Sequence, residues 1–304
     1  MVNGAHSGIA MVGSANMDVV FSVERIPRPG ETLLATSTAK YPGGKGLNQA
    51  VAAARAGAAT TFVGALGTDD NGTELAETMH SSGIDGSLVR RSGEASGQAF
   101  IVVADNAENT IIVASGANAE VTALSPAERD AVSAAAVLLM QLELPIGVVI
   151  EAAQLAREAG TTVMLNAAPA RELPDELIAS LDYLIVNEHE ACLIGGTPDL
   201  AEASKRLAAG VNRLIVTLGS DGSVLYDGGR EVARVSARTV VAIDTTGAGD
   251  TYCGAFAAAV EEGQDFAEAA EFATAAAALS VQALGAVPSI PERDRILAFL
   301  AEQT

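Results

Sequence analysis

The run Asp244-Thr-Thr-Gly-Ala-Gly-Asp-Thr-Tyr-Cys-Gly254 puts a glycine turn, one carboxylate and the start of an alanine-rich segment side by side. A β-branched stretch, residues 239–243, comes just before it, so the expected order is strand, glycine turn, helix. Such a turn aims free backbone N–H groups and the positive end of a helix dipole at one point. Phosphate oxygens, or negative charge that develops during a reaction, would be stabilised there. Asp250 sets the run apart from a plain anion cradle, because a carboxylate beside bound phosphate repels it. A general base that takes a proton from an attacking hydroxyl belongs at that place. Asp is also a common helix cap, and on this run alone the two readings are even.

Two further clusters tip the balance. Tyr41-Pro-Gly-Gly-Lys-Gly-Leu-Asn-Gln-Ala50 leads into an alanine-rich helix over residues 50–56, with Lys45 and Asn48 on its first turn. Its glycines let a ligand approach the backbone closely. Upstream, Gly13-Ser-Ala-Asn-Met-Asp18 ends an apolar strand over residues 9–12. Asn16 and Asp18 are two apart and so face one side of an extended segment. A carboxylate and an amide together accept from and donate to the neighbouring hydroxyls of a polyol. Each cluster alone reads as an ordinary turn; three in one chain argue for a site.

The elements that must position these residues follow a regular pattern. Residues 60–66, 136–142, 162–165, 183–186 and 213–218 read as buried strands. Residues 73–81, 125–134, 147–158, 174–181 and 200–208 read as helices between them. This alternation implies a largely parallel sheet covered by helices on both faces. Two regions break it: residues 19–23 with 31–39, and 96–104 with 110–114, have no helix between their strands. A polar hairpin turn over residues 105–109 joins the second pair. A small antiparallel sheet standing off the main body fits them, the plainer alternative being an edge hairpin.

Composition narrows the function. At 304 residues the chain is long enough for one large α/β domain with a small appendage, and nothing in it marks a linker or repeat. Although 49% of residues are hydrophobic, no apolar run is long enough to span a bilayer. Residues 1–8 lack the basic and apolar regions of a signal peptide, so a cytoplasmic location is expected. The net charge of −20 argues against nucleic acid and anionic membranes as partners. Two cysteines and three scattered histidines provide neither a disulfide framework, a zinc set nor a Ser-His-Asp hydrolase. Cys253 is expected to be a small buried thiol packing the new helix. Gly43-Gly-Lys-Gly46 lacks the Ser or Thr that follows a P-loop lysine. Gly247-Ala-Gly249 has Tyr252 where a dinucleotide fingerprint needs its third glycine.

Gly43-Gly-Lys-Gly-Leu-Asn-Gln49 and Asp244-Thr-Thr-Gly-Ala-Gly-Asp250 resemble the two signatures of the ribokinase-like (PfkB) sugar kinases. Leu138-Leu-Met-Gln-Leu-Glu143, Asn166-Ala-Ala-Pro-Ala-Arg-Glu-Leu-Pro-Asp175, Asn187-Glu-His-Glu190 and Thr217-Leu-Gly-Ser-Asp-Gly222 extend the likeness, in the family's order, from about residue 9 to the C-terminus. The resemblance implies one three-layer α/β/α domain over residues 1–304, with a mostly parallel central sheet. Its small antiparallel β lid would draw strands from about 19–39 and 96–114. It also implies ATP-dependent phosphorylation of a sugar hydroxyl, with O5 of D-ribose the expected one. Other substrates in the family (deoxyribose, a nucleoside, another sugar), or a catalytically silent sugar-binding regulator, are the alternatives.

Residue roles carry over by the same resemblance. Asp250 would be the base, and the N–H groups of Gly247, Ala248 and Gly249 the anion hole. The family often has alanine at the place of Gly247, a change that leaves the supply of N–H groups intact. Sugar contacts would fall to Asn16, Asp18, Gly44, Lys45, Asn48, Glu143 and Asp250. ATP contacts would fall to Asn187, Thr217, Gly219, Ser220, Gly249 and Thr274. Glu190, with Asn187, would organise Mg²⁺ through water. A K⁺ activator would take side-chain oxygens from Asp244 and Ser289 and carbonyls from Thr246, Ser280, Ala283 and Gly285. That cation site requires residues 284–288 to fold back on the anion loop. A homodimer paired through the lid is expected.

Overall fold

Successive residues of the first strand point into different cores: Ile9 and Met11 into one cluster of buried side chains, Ala10 and Val12 into another. Val137 and Leu139 divide from Leu138 and Met140 in the same way. This period of two, with both faces apolar, is the mark of a sheet covered on both sides. The computed structural model describes residues 6–106 and 108–302. Its strands are β1 (Ile9–Val12), β2 (Asn16–Val23), β3 (Ser37–Gly43), β4 (Thr60–Gly67), β5 (Val89–Ser92), β6 (Gly97–Ala104), β7 (Asn109–Ala114), β8 (Val137–Met140), β9 (Thr162–Asn166), β10 (Tyr183–Asn187), β11 (Arg213–Thr217), β12 (Ser223–Asp227) and β13 (Arg230–Val235). The helices are α1 (Lys45–Arg55), α2 (Asp70–Ser81), α3 (Pro126–Ala134), α4 (Ile146–Ala159), α5 (Asp175–Ile178), α6 (Glu188–Ile194), α7 (Leu200–Gly210), α8 (Ala248–Glu261), α9 (Phe266–Ser280), α10 (Ala286–Ser289) and α11 (Arg293–Ala301).

The main sheet runs β13-β12-β11-β10-β9-β8-β1-β4-β5. From β11 to β5 all neighbours are parallel, and β12 and β13 add an antiparallel end. Residues of α1, α2, α8 and α9 fill the core on one face, and residues of α3, α4 and α7 the core on the other. The result is a three-layer α/β/α fold. The chain moves outward from β1 through β4 to β5, then returns to β8 on the opposite flank of β1. That reversal opens a crevice beyond the C-terminal ends of β1 and β8, where open α/β sheets bind ligands. Two helices converge on it: α1 and α8 pack so closely that a Cβ on Gly254 would sit 2.3 Å from the Gln49 carbonyl oxygen. No helix among the described residues is long and apolar enough to cross a membrane.

The second sheet, β3-β2-β6-β7, stands off the first as expected, with two differences. Its outer pairs are antiparallel but the central pair, β2 and β6, is parallel, so the lid is mixed and not wholly antiparallel. Residues 31–36 form no strand. β3 instead starts at Ser37 and carries through Pro42, which is tolerated because β3 is an edge strand with a solvent-facing N–H row. The turn expected over 105–109 includes Ala107, which lies outside the described residues.

The strand expected over residues 239–243 is also absent; the segment is loop, with Val241 82% and Ile243 62% exposed. β13 already ends the sheet, so no strand is left to pair with it. The Ile243 N–H instead donates to the Val281 carbonyl just past α9 (2.7 Å). Strands β5 and β13 are the edge strands of the main sheet and lack the apolar run that marks the interior strands.

Candidate active site

β1 hands over to β2 through residues 13–15, exactly one short crossing long, and the lid springs from the crevice at that point. Asn16 on β2 lies between Gly43 of β3 and Gly97 of β6. A Cβ on Gly97 would meet Asn16 Oδ1 at 2.2 Å, and one on Gly43 would meet Asp18 Oδ2 at 2.2 Å. The two polar side chains therefore lie flat across glycines, and larger residues there would expel them. Gly44, at φ +89°, has the positive φ that glycine adopts freely. Its bare α-carbon lets α1 begin against the Asn16 N–H.

Glu143, just past β8, ties these parts together through one oxygen. Its Oε2 accepts from Ser14 Oγ (2.5 Å), the Lys45 N–H (3.1 Å) and Asn16 Nδ2 (3.4 Å). Asn118 holds the other end of Asn16, donating from Nδ2 to Asn16 Oδ1 at 2.8 Å while its own Oδ1 accepts from the Ala15 N–H. Asn16, Asp18, Gly44, Lys45, Asn48, Glu143 and Asp250 are thus brought to one place, although they are dispersed over most of the chain.

Asp250 sits on the first turn of α8, 8% exposed. Its Oδ2 accepts from Asn48 Nδ2 (3.0 Å) and its Oδ1 from Gln49 Nε2 (2.9 Å), so α1 holds the carboxylate of α8 through two adjacent amides. Asn48 Oδ1 is buried without a hydrogen-bond partner among the described residues and can accept from a ligand hydroxyl. At the α8 N-terminus the N–H groups of Gly247 and Gly249 have no partner among the described residues, whereas that of Ala248 donates to the Thr245 carbonyl at 3.2 Å. The anion hole expected from three N–H groups is therefore open at two. Gly247 has φ +76°, and a Cβ there would lie 2.9 Å from Ala286 Cβ. Here glycine is required by backbone and space, beyond the flexibility it lends the turn.

The electrostatics of the crevice are crowded. Burial, helped by the like charges of Glu143 and Asp250, pushes the Asp18 carboxyl up to about 7 against the pull of Lys45. Burial works to lower the Lys45 ammonium, but Asp250, Glu143 and Glu190 outweigh it and the shift is upward, so Lys45 is a permanent cation here. Glu190 is also raised, chiefly by burial. Cys253 is buried as expected, and burial followed by its acidic neighbours raises the thiol well above its usual value. It packs the site and is no nucleophile.

Beyond Asp250 lie two joined cavities. The smaller, about 220 Å³, is lined by Lys45, Asn187, Glu190, Gly247, Gly249 and Asp250, among others. Asn187 caps α6 in a reciprocal box: its Oδ1 accepts from the Glu190 N–H, and Glu190 Oε2 from the Asn187 N–H, both at 2.8 Å. The larger cavity, about 450 Å³, takes in Thr217, Gly219, Ser220, Ala248, Gly249 and Thr274. Thr217 and Gly249 line both. The rest of the larger wall is mainly apolar, with Val240, Ala277, Ala278 and Val281. Residues 284–288 do fold back on the anion loop, since Asp244 Oδ2 accepts from the Gly285 N–H (2.8 Å) and its Oδ1 from the Thr246 N–H (2.9 Å). Burial would raise the Asp244 carboxyl, but these hydrogen bonds prevail and it is lowered. Ser280 and Ser289 donate to the Ala277 and Ala286 carbonyls (2.8 Å each), leaving their oxygens able to accept or ligate.

The model of the pfkB family carbohydrate kinases matches residues 7–293. The chain belongs to this family. Among its relatives, the ribokinase of Haemophilus influenzae is 41% identical over 96% of this chain and 98% of its own. The ribokinase of Staphylococcus aureus is 39% identical over 93% and 96%. The structure of Arabidopsis thaliana ribokinase complexed with ribose and ATP superposes with a TM-score of 0.90 at 36% identity, covering 97% of this chain and 98% of that one. For a pfkB kinase the arrangement has a plain logic: a polar crevice and a mostly apolar cavity meet at one carboxylate and one helix N-terminus.

Sequence reasoning missed five residues of this site, among them Gln49, which lies inside the Gly43–Gln49 run and holds Asp250. Ser14 and Asn118 orient Glu143 and Asn16, while Gln141 and Asn166 extend the amide contacts behind Asp250. Ser14, Gln141 and Asn166 fall inside stretches already singled out, at the C-terminal ends of β1, β8 and β9, and that position is the signal that could have found them. Asn118 had no such signal.

Proposed function

We propose that this protein transfers the γ-phosphoryl group of ATP to O5 of D-ribose. The observation that carries the reading is the place of Asp250: its carboxylate is held by α1, stands on the first turn of α8, and lies where the polar crevice meets the cavities. Ribose would lie over Asn16, Asp18, Gly44, Lys45, Asn48 and Glu143, which together supply donors and acceptors for its hydroxyls. Asp250 would accept the O5 proton as the hydroxyl attacks. The free N–H groups of Gly247 and Gly249 face developing charge on the γ-phosphoryl oxygens. That of Ala248 would join them on leaving Thr245. Lys45, cationic and half-buried beside Asp250, adds to that stabilisation. ATP would occupy the joined cavities, its phosphates toward Asn187, Thr217, Gly219, Ser220 and Gly249 and its base toward the apolar end near Thr274.

The donor set suits the two ions as well. Among the described residues no group of three or more His, Cys, Asp or Glu side chains could hold a metal. Mg²⁺ would therefore be held mostly by phosphate and water, with Glu190 and Asn187 outside them, and when bound it neutralises phosphate charge. Asp244 and Ser289, with the carbonyls of Thr246, Ser280, Ala283 and Gly285, form an all-oxygen set suited to K⁺, beside the turn that opens α8. The exposed Ile111, Ile112 and Val113 on edge strand β7 support a homodimer joined through the lid; the net charge of −20 argues against nucleic acid and anionic membranes as partners, and the enzyme would work in the cytoplasm.

The test is coupled ADP release with Mg²⁺-ATP and K⁺ against ribose, 2-deoxyribose, fructose, adenosine and no sugar. Ribose-dependent turnover well above the others is expected. Preference for another member would move the specificity to that sugar, and no sugar-dependent turnover with any would overturn the kinase reading.

A further inference from the structure

Behind Asp250 runs a chain of buried amides, of which Asn166 reaches the wall of the smaller cavity while Gln49 and Gln141 line neither. Asn166 Nδ2 donates to the Ile185 carbonyl (3.2 Å), an acceptor that cannot change role. Asn166 Oδ1 must therefore face Gln49, and it accepts from Gln49 Nε2 (3.0 Å). The same Nε2 donates to Asp250 Oδ1 (2.9 Å), so both neighbours fix the Gln49 amide the same way round. Gln49 Oε1 then requires a donor, which Gln141 Nε2 supplies at 2.6 Å. Gln49 and Gln141 are 0% and 1% exposed, and no water-facing alternative exists for either. The last member bears the cost: Gln141 Oε1 is buried with no partner among the described residues, where a Cβ on Gly13 would meet it at 2.5 Å. An orphaned carbonyl at the far end is the consequence of satisfying every group at the near end.

Resting on the reading of Asp250 as the base, we infer that Gln49 is a positioning residue, oriented by Gln141 and Asn166, that holds the Asp250 carboxylate in its reactive orientation. The chain joins α8 and α1 to the C-terminal ends of β8 and β9. A helix-borne base is thereby referenced to the rigid sheet. Titratable groups also face Asp250: Asp18 on the lid, Lys45 on α1, Glu190 on α6 and the Cys253 thiol on its own helix. These set its surroundings; the amides set its direction.

The experiment measures kcat against pH, together with ribose affinity by titration calorimetry, for Gln49→Met, Gln141→Leu, the double variant and Asp250→Asn. Gln49→Met is expected to lower kcat by about 10- to 100-fold, with ribose affinity changed by less than about 3-fold. The acid limb of its profile should move to higher pH, because the carboxylate loses one of its two donors. Gln141→Leu, one step further from the substrate, is expected to shift the limb the same way with about a 3- to 10-fold loss. The double variant should be no worse than Gln49→Met alone, since Gln141 acts only through Gln49. An unmoved limb in Gln141→Leu would mean a role in stability only, and losses that multiply in the double variant would mean that the two residues act independently; either would overturn the inference. Wild-type turnover in Asp250→Asn would remove the base itself, which separates that failure from a failure of the relay.

Discussion

On the side of Asp250 proposed for the sugar, the side chains are held before any ligand arrives. Glu143 Oε2 takes three donors, Asn16 is gripped at both ends of its amide, and Asp250 accepts at both oxygens. On the side proposed for the nucleotide the wall over residues 236–242 is loop, half-buried to exposed, and alanine, valine, glycine and threonine make up most of the cavity lining, with Arg238 among them. The contrast follows from what each end has to do. Sugar hydroxyls are distinguished only by matched donors and acceptors, and a misplaced partner leaves a buried polar group unsatisfied. An apolar wall against a flat base needs area and little direction. Side-chain changes at the first end should therefore be costly, and at the second tolerated.

That contrast can be broken or sharpened by measurement. Asp250→Asn is expected to have the largest effect: kcat should fall by about 10²- to 10⁴-fold in coupled ADP release, the usual worth of a general base. Ribose affinity by calorimetry should stay within about 3-fold. Next, Glu143→Ala removes the common acceptor of Ser14, Lys45 and Asn16. Sugar affinity should fall by about 10- to 100-fold, in line with losing hydrogen bonds to a charged group, while ATP affinity is unchanged. An equal loss at both ends would show that the two sides are not separately built.

The third prediction concerns stability and pH. Asp18 has its carboxyl raised from 3.8 to about 7 in the folded protein. Between those values the native state holds a proton that the unfolded chain has lost, so this group's contribution declines as pH rises from about 4 through about 7. Asp18→Asn abolishes the titration. Without sugar, it should match the wild type near pH 4 and exceed it by about 1–4 kcal/mol at pH 8 in urea unfolding. A constant difference across pH would contradict the burial argument. The smallest effect is expected for Thr274→Ala at the nucleotide end. The Thr274 hydroxyl donates to the Ala270 carbonyl within its own helix (2.8 Å), so the KM for ATP should change by less than about 3-fold.

Much of this was legible in the residues. The alternation of apolar strands with alanine-rich helices gives the layered sheet, and glycine clusters beside Lys45 and Asp250 mark where two helices begin. These are local signals, set by periodicity, by helix N-terminal chemistry and by the conformational freedom of glycine. What escaped was pairing. Residues 239–243 have strand composition but no strand beside them, and a strand exists only with a partner. The direction of β2 against β6 likewise depends on where the chain returns, which no local pattern encodes.

The chain's own order of residues determined the fold class, the two helix-opening turns and the set of side chains able to handle a sugar and a phosphate, because each depends on near neighbours. Only the tertiary structure decided which of them meet. Asp250 reaches Gln49 across 201 positions, Glu143 reaches Ser14 across 129, and Asn118 reaches Asn16 across 102. Contacts of that span are fixed by close packing of helices on a sheet, which matches volumes and polar groups in three dimensions and leaves no periodic trace along the chain.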